Sequence, residues 1–279
     1  MYPKAHFTKA QVIDYYTRVG PAILPHLKGR ALTLKRYPDG VESSYFYEKN
    51  CPKHRPEWVH TAPIWSGRKD ETMDYCVIDD LPSLIWAANL ASIELHTSLS
   101  LGRTPDVPQM MVFDLDPGPP AAIKQCCQVA LALKDIFDAL KLQTFPKTSG
   151  SKGLQVYVPL NTKVTYEATK TFALAVAQQL EAQHRDLVIS AMKRSLRAGK
   201  VFVDWSQNDR HKTTVSVYSL RAAERPTAST PVTWDEVQAH LDGKIKQLAF
   251  TSDQVLQRVE RHGDLFAPVL KLKQRVPHP

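Results

Sequence analysis

Between Gln109 and Asp204 the spacing of apolar residues switches back and forth between two periods, and few folds satisfy that pattern. Gln109–Leu115 is an apolar run of strand length, and Ala121–Leu142 carries apolar residues at helical spacing. Leu154–Leu160 returns to β-branched alternation, and Tyr166–His184 is helical again. Strands follow at Val201–Asp204 and Thr213–Tyr218. The order β-α-β-α-β-β predicts an α+β lobe with a mainly antiparallel or mixed sheet and helices on one face.

The first half is less regular. Thr8 and Gln11 form a capping box that opens a helix through Val12, Ile13, Tyr16 and Val19. Gly20-Pro21 should end it, with a short helix over Ala22–Leu27. Ala31–Tyr37 alternates like a strand, Pro38-Asp39-Gly40 turns, and Val41–Lys49 returns as the second arm of a hairpin. Cys51–Pro63 reads as an irregular crossing, and Ser83–Leu95 as a helix. The first lobe is placed at 1–106 and the second at 107–279, the two sharing a cleft, with Thr233 and Glu236 capping a terminal helical segment.

At 279 residues, 43% hydrophobic and 23% charged, the chain has the composition of a globular protein. No apolar run approaches the ~20 residues of a membrane span, and the N-terminus lacks a secretory core, so a cytoplasmic location is expected. Cys51, Cys76, Cys126 and Cys127 lack CxxC spacing, which points to reduced thiols. Cys51 and His54, with Cys76, could begin a zinc site, but a complete one usually takes four ligands. A net charge of +8 suits a polyanionic partner.

Asp114 and Asp116 end an apolar strand that Pro117-Gly118-Pro119-Pro120 cuts off. Residues two apart on a strand share a face, so both carboxylates emerge together, and paired hard oxygens suit Mg²⁺ or Mn²⁺. Solvated strand-end aspartates are the plainer alternative for such a pair alone. Lys147 to Gly153 form a small-residue loop between apparent strands, with donors suited to a triphosphate, though it is no Walker A loop. Asp204 closes a third strand among Arg197, Lys200, Gln207, Arg210 and Lys212. Three carboxylates, a phosphate-type loop and a basic cluster in one lobe meet the needs of metal-dependent phosphoryl transfer. In the first lobe, Lys35, Arg36, Tyr37 and Tyr45 to Lys49 interleave bases with aromatics on the hairpin. Because Phe46 and Tyr47 alternate, only one face of that strand is expected to be free for stacking nucleobases.

These segments resemble the polymerase domain of the multifunctional ligases of non-homologous end joining, within the archaeo-eukaryotic primase superfamily. The likeness spans nearly the whole chain and is most specific at Leu32–Val41, Val112–Pro117, Thr148–Leu154 and Ser195–Asn208. It implies a two-lobed core whose catalytic sheet is RNA-recognition-motif-like. It also implies a DNA/RNA primase-polymerase that extends a primer from NTPs or dNTPs in break repair. Asp114, Asp116 and Asp204 would hold two Mn²⁺ or Mg²⁺ ions. Ser149, Lys152 and Arg221 would contact the nucleotide, with Lys35, His96, Arg197 and Gln207 lining the same pocket. Phe46, Tyr47 and Lys49 would meet DNA, and Lys9 the 5′-phosphate across a gap. Gapped or broken DNA, a DNA ligase and a Ku-like end-binding protein are the implied partners, at the nucleoid.

Two departures stand out. Gln155 occupies a position where the family usually has His, and it can donate a hydrogen bond but carry no charge. An Asn and a Lys that tend to lie shortly upstream of Tyr2-Pro3 are missing, so 5′-phosphate recognition would rest on Lys9 with neighbours such as Lys4. No ligase segment follows Pro279, which leaves a free-standing enzyme or an excised domain. A primer-synthesising primase and a non-catalytic end-bridging module are the rival readings; a two-metal nuclease is poorly served by the triphosphate-type loop.

Overall fold

Thr8 opens the first helix reciprocally. Its backbone N–H donates to Gln11 Oε1 at 2.8 Å, and Gln11 N–H donates to Thr8 Oγ1 at 3.3 Å, satisfying two donors that a helix N-terminus leaves over. The helix, α1 (Lys9–Leu27), does not stop at Gly20-Pro21 but runs through Pro21 and Pro25. An interior proline costs roughly 3 kcal/mol. A buried face of Val12, Tyr15, Tyr16, Val19, Ile23 and Leu27 offsets it, and the Tyr15 and Tyr16 hydroxyls donate to the carbonyls of Tyr218 and Ile93, each at 2.7 Å.

A computed structural model describes residues 1–66 and 70–277, which group into two units. The first comprises Met1–Pro105, Thr213–Ser229 and Phe250–Asp264. Its strands are β1 (Leu32–Arg36), β2 (Phe46–Glu48), β3 (Thr61–Ser66), β4 (Glu71–Cys76) and, after α2 (Leu81–Asn89), β5 (Ser92–Thr97). The sheet runs from the strand Thr214–Val215 through β5, β1 and β4 to β3, with β2 also on β1, and every pairing is antiparallel. Ser100–Leu101 (β6) and Thr104–Pro108 (β7) form a separate two-stranded ribbon.

Three expectations for this half are corrected. The crossing at Cys51–Pro63 already contains the start of a β3–β4 hairpin. The helix expected over Ser83–Leu95 splits in two: α2 is capped by Asp80, whose Oδ1 accepts from Ser83 N–H at 2.9 Å, and Ala91 at φ 59° turns the chain into β5. Leu84, Ala87, Ala88, Ala91 and Leu95 fit a helical period, and that fit hides the period-two pattern of Ser92 to His96. Finally, Cys51 and Cys76 are joined by a disulfide across 25 residues, and the zinc option at Cys51, His54 and Cys76 falls with it. Their proximity comes from register, since β4 sets Cys76 opposite Leu32 and Cys51 N–H donates to Asp74 O at 2.6 Å. Replacing both cysteines with Ala should cost about 3 kcal/mol, the scale of closing a loop of that size, read as a lower Tm that dithiothreitol no longer shifts.

The second unit comprises Asp106–Lys212, Thr230–Ala249 and Leu265–Pro279. Thus 107–279 is not one lobe. Thr214–Val215 pairs with β5 of the first unit, and the Tyr218 hydroxyl donates to Asp264 Oδ1 at 2.7 Å, joining both segments that return there. Periodicity identifies a strand but not its sheet. The unit contains β8 (Met110–Pro117), α3 (Ile123–Ala139), β9 (Phe145–Thr148), β10 (Leu154–Pro159), α4 (Tyr166–Gln183), β11 (Val188–Ile189), β12 (Val201–Asp204) and α5 (Trp234–Leu241), the last opened by the Thr233–Glu236 capping box. Its sheet order is β11-β12-β8-β10-β9, parallel only between β11 and β12, hence mixed.

Phe113 of β8 meets Phe137 of α3 with ring centroids 5.4 Å apart, and Phe137 meets Phe172 of α4 at 6.4 Å. The helices therefore cover the Phe113 face, and by alternation Asp114 and Asp116 project from the other. Cys126 and Cys127 are buried free thiols in α3. Just past β8, Gly118 lies so close to the segment before β12 that an added Cβ would stand 1.9 Å from Arg197 O. Gly118→Ala should cost about 3 kcal/mol or more and lower Tm by roughly 6–12 °C, measured calorimetrically.

Candidate active site

Strand register builds one polar row across the second unit's sheet. Asp204 on β12 stands opposite Asp114 on β8, Asp114 opposite Gln155 on β10, and Gln155 opposite Lys147 on β9. Lys147 is wholly buried, and its ammonium donates to Gln155 Oε1 at 2.6 Å. With its carbonyl so engaged, the Gln155 amide turns its NH₂ to Asp114, which accepts from it. Asp116 follows two residues on, on the same face and exposed.

Asp204 is buried and held on both oxygens. Oδ1 accepts from Ser206 N–H at 3.0 Å and from its hydroxyl at 2.5 Å, while Oδ2 accepts from Gln207 Nε2 at 2.8 Å. Lys212 supports the arrangement by donating to Ser206 Oγ at 2.5 Å. Gln207 thus orients a carboxylate.

Burial, and then the charges of Asp116 and Asp204, push the Asp114 carboxyl up to about 7, against the Gln155 hydrogen bond and the Lys147 ammonium. Carboxylates held together against desolvation and mutual repulsion are relieved by a hard cation, and an all-oxygen donor set suits Mg²⁺ or Mn²⁺. No three His, Cys, Asp or Glu side chains among the described residues are already gathered as an ion shell. Asp114 and Asp116 are the ready donors; Asp204 would first exchange its bonds to Ser206 and Gln207.

The turn from β9 to β10 holds the other phosphate-type residues. Ser149 Oγ accepts from the backbone N–H of Ser151 at 3.2 Å and Gly153 at 3.1 Å, so it orders the loop, and Lys152 at the tip is exposed. Arg197, before β12, lies 3.6 Å over the Phe202 ring and donates to Met192 O at 2.9 Å.

In the first unit, Lys35, His96 and Arg221 converge on Glu94, a buried carboxylate that the sequence reading passed over. Glu94 Oε2 lies 2.9 Å from His96 Nε2 and 3.5 Å from Arg221 Nε, and Oε1 lies 3.4 Å from Lys35 Nζ. Despite burial, these groups, the His96 hydrogen bond first, hold the carboxyl near 2. Lys35 Nζ also sits 4.2 Å over the Tyr45 ring, and Tyr47 meets His96 edge-on with centroids 6.2 Å apart. Phe46 and Tyr47 are 44% and 54% exposed, so both faces of β2 are open, not one. β2 is a three-residue strand whose neighbour is β1, and too little packs on it to cover either side. Arg36 lies 5.1 Å over Phe46 and pairs with Glu48 at 2.9 Å. Lys49 follows exposed, and Lys9 is exposed in the first turn of α1.

A mixed sheet backed by helices on one face, with Asp-x-Asp on one strand and a third aspartate in register beside it, belongs here to an α+β fold of the archaeo-eukaryotic primase type. Residues 8–266 match the family model described as LigD, primase-polymerase domain, and the chain belongs to that family. It is 41% identical over 273 residues to the multifunctional non-homologous end joining protein LigD of Mycolicibacterium smegmatis, covering 96% of this chain and 35% of that protein. It is 31% identical over 264 residues to the bifunctional LigD of Bacillus subtilis, covering 94% of this chain and 41% of the relative. The chain therefore spans about a third to two fifths of these relatives. The polymerase domain of Mycobacterium tuberculosis ligase D, solved in complex with DNA, superposes with a TM-score of 0.89 at 38% identity, over 98% of this chain and 96% of that one.

Proposed function

We propose that this chain is a template-directed nucleotidyltransferase. It extends a primer 3′-hydroxyl from ribo- or deoxynucleoside triphosphates and fills gaps or ends during DNA break repair by non-homologous end joining. The observation that carries this reading is the Asp114–Asp204 register pair with Asp116 on the same sheet face, in a chain of the LigD primase-polymerase family.

Asp114, Asp116 and Asp204 would hold two divalent ions, Mn²⁺ or Mg²⁺, which when bound supply acidification of the primer hydroxyl and neutralisation of the triphosphate. Gln155 and Gln207 orient Asp114 and Asp204. Lys152 offsets charge on the departing pyrophosphate, with Arg197 adding positive potential and Ser149 keeping the loop in shape, and Lys35 and Arg221 contribute nucleotide contacts. Phe46 and Tyr47 give the template exposed rings, worth about 1–3 kcal/mol per stacked base, and Lys49 gives a phosphate contact. Lys9 holds the 5′-phosphate on the far side of a gap. The DNA-bound mycobacterial neighbour supports the nucleic-acid partner, and the non-homologous end joining relatives support a role in end joining; a DNA ligase, a Ku-like end-binding protein and the nucleoid are the partners and location that this role calls for. No helix among the described residues is long and apolar enough to cross a membrane.

Extension of a labelled primer across a short gap tests the reading. Mn²⁺- or Mg²⁺-dependent addition that weakens when the downstream 5′-phosphate is removed is the expected result. Tight DNA binding with no addition from either ribo- or deoxynucleotides would refute it in favour of an end-bridging module.

A further inference from the structure

We propose that Glu94 is a positioning residue for the incoming nucleotide, a buried carboxylate that gathers Lys35, His96 and Arg221 into one binding group. The inference rests on the polymerase reading above and adds a residue to it.

Glu94 has 1% of its surface exposed and lies centrally in β5. A carboxylate there must be fully paired, because unpaired burial of a charge is prohibitive. Five groups pair it. Besides Lys35, His96 and Arg221, the Tyr37 hydroxyl donates to Oε1 at 3.3 Å and Ala222 N–H to the same oxygen at 3.1 Å. Lys35 comes from β1, His96 from β5 itself, and Arg221 and Ala222 from the segment that returns late in the chain. One carboxylate therefore fixes groups from three stretches of sequence.

Pairing also sets what those groups offer. Lys35 and Arg221 would repel each other if left alone; with Glu94 between them and His96, whose burial disfavours its charged form, left neutral, the cluster carries one net positive charge. Lys35 and Arg221 keep 13% and 20% of their side-chain surface exposed, so part of each remains available to an anion. A carboxylate accepts only, so His96 must direct Nε2–H at Glu94, which leaves Nδ1 as an acceptor. Glu94 thus selects one tautomer of His96.

The test compares the wild-type chain with Glu94→Gln and Glu94→Asp in three measurements without turnover. These are ATP binding by titration calorimetry with Mn²⁺ and no primer, gapped-DNA binding by anisotropy, and the His96 tautomer by ¹⁵N NMR. Glu94→Gln keeps the shape and an acceptor but removes the charge. It should weaken ATP binding about tenfold and shift the His96 ring nitrogens away from a pure Nε2–H state, while DNA affinity stays unchanged. Glu94→Asp, which keeps the charge, should recover part of the ATP affinity. Unchanged or tighter ATP binding in Glu94→Gln would overturn the proposal and leave the polymerase reading intact, as would ATP and DNA affinity falling together with Tm in both variants. A wild-type chain that binds gapped DNA but no ATP, nor any other nucleoside triphosphate, would overturn both.

Discussion

Asp116→Ala should lower primer extension by on the order of 10³-fold or more while leaving affinity for a gapped duplex within about twofold. The expectation follows from place and exposure. Asp116 sits near the end of β8 on the sheet face away from α3 and α4, exposed. Truncating an exposed strand-end side chain costs little stability, and losing the Asp116 charge relieves the Asp114 carboxyl beside it, so a folding defect should not mimic a catalytic one. DNA is expected to be held instead by Phe46, Tyr47, Lys49 and Lys9, all exposed and all in the other unit. Gel-resolved extension and fluorescence anisotropy on one protein preparation separate the two effects. Retained extension would remove the aspartates from the chemical step; lost DNA binding would mean that Asp116 shapes the DNA surface instead.

How much of this was legible in the sequence depended on whether a signal was local. The second unit's sheet was readable because its strands and helices have ordinary lengths, distinct periods and sharp boundaries at Pro117-Gly118 and Gly150. Its acidic pair was readable because alternation alone puts Asp114 and Asp116 on one face. The Asp204 register was not derivable, since pairing β12 to β8 is a long-range event. The row continuing through Gln155 to Lys147 was hidden for the same reason. In the first unit, Glu94 was missed because β5 was absorbed into a helix whose spacing it happens to extend, and because its partners Lys35 and Arg221 lie 59 and 127 positions away. The Cys51–Cys76 bond was missed because spacing cannot reveal that β4 returns to the segment after β2. Helix α1 outran its prolines because propensity is a local bias and the burial that overrides it is not. Phe46 and Tyr47 misled in the opposite direction, since alternation assumes that something covers one face, and among the described residues nothing that packs on β2 does.

Asp114→Asn should abolish extension and at the same time stabilise the metal-free protein. Asp114 lies where burial and two neighbouring carboxylates disfavour its charge, pushing its carboxyl up to about 7. Asparagine keeps the shape and the oxygen that accepts from Gln155 but removes the charge, so the repulsion with Asp116 and Asp204 disappears. The expected gain is about 1–2 kcal/mol, or roughly 3–6 °C in Tm in the presence of EDTA. A divalent cation supplies the same relief to the wild-type chain: Mn²⁺ at ten times its dissociation constant would add about 1.4 kcal/mol. Mn²⁺ should therefore raise the wild-type Tm and shift that of Asp114→Asn far less. Paired thermal melts with EDTA or MnCl₂ decide the matter. An equal Mn²⁺ shift in both proteins would place the ion elsewhere, and a lower Tm for Asp114→Asn in EDTA would mean that Lys147, through Gln155, already compensates the Asp114 charge. The signs of the two shifts together distinguish a strained ligand, kept at a cost in stability because the reaction needs it, from a carboxylate that serves the fold.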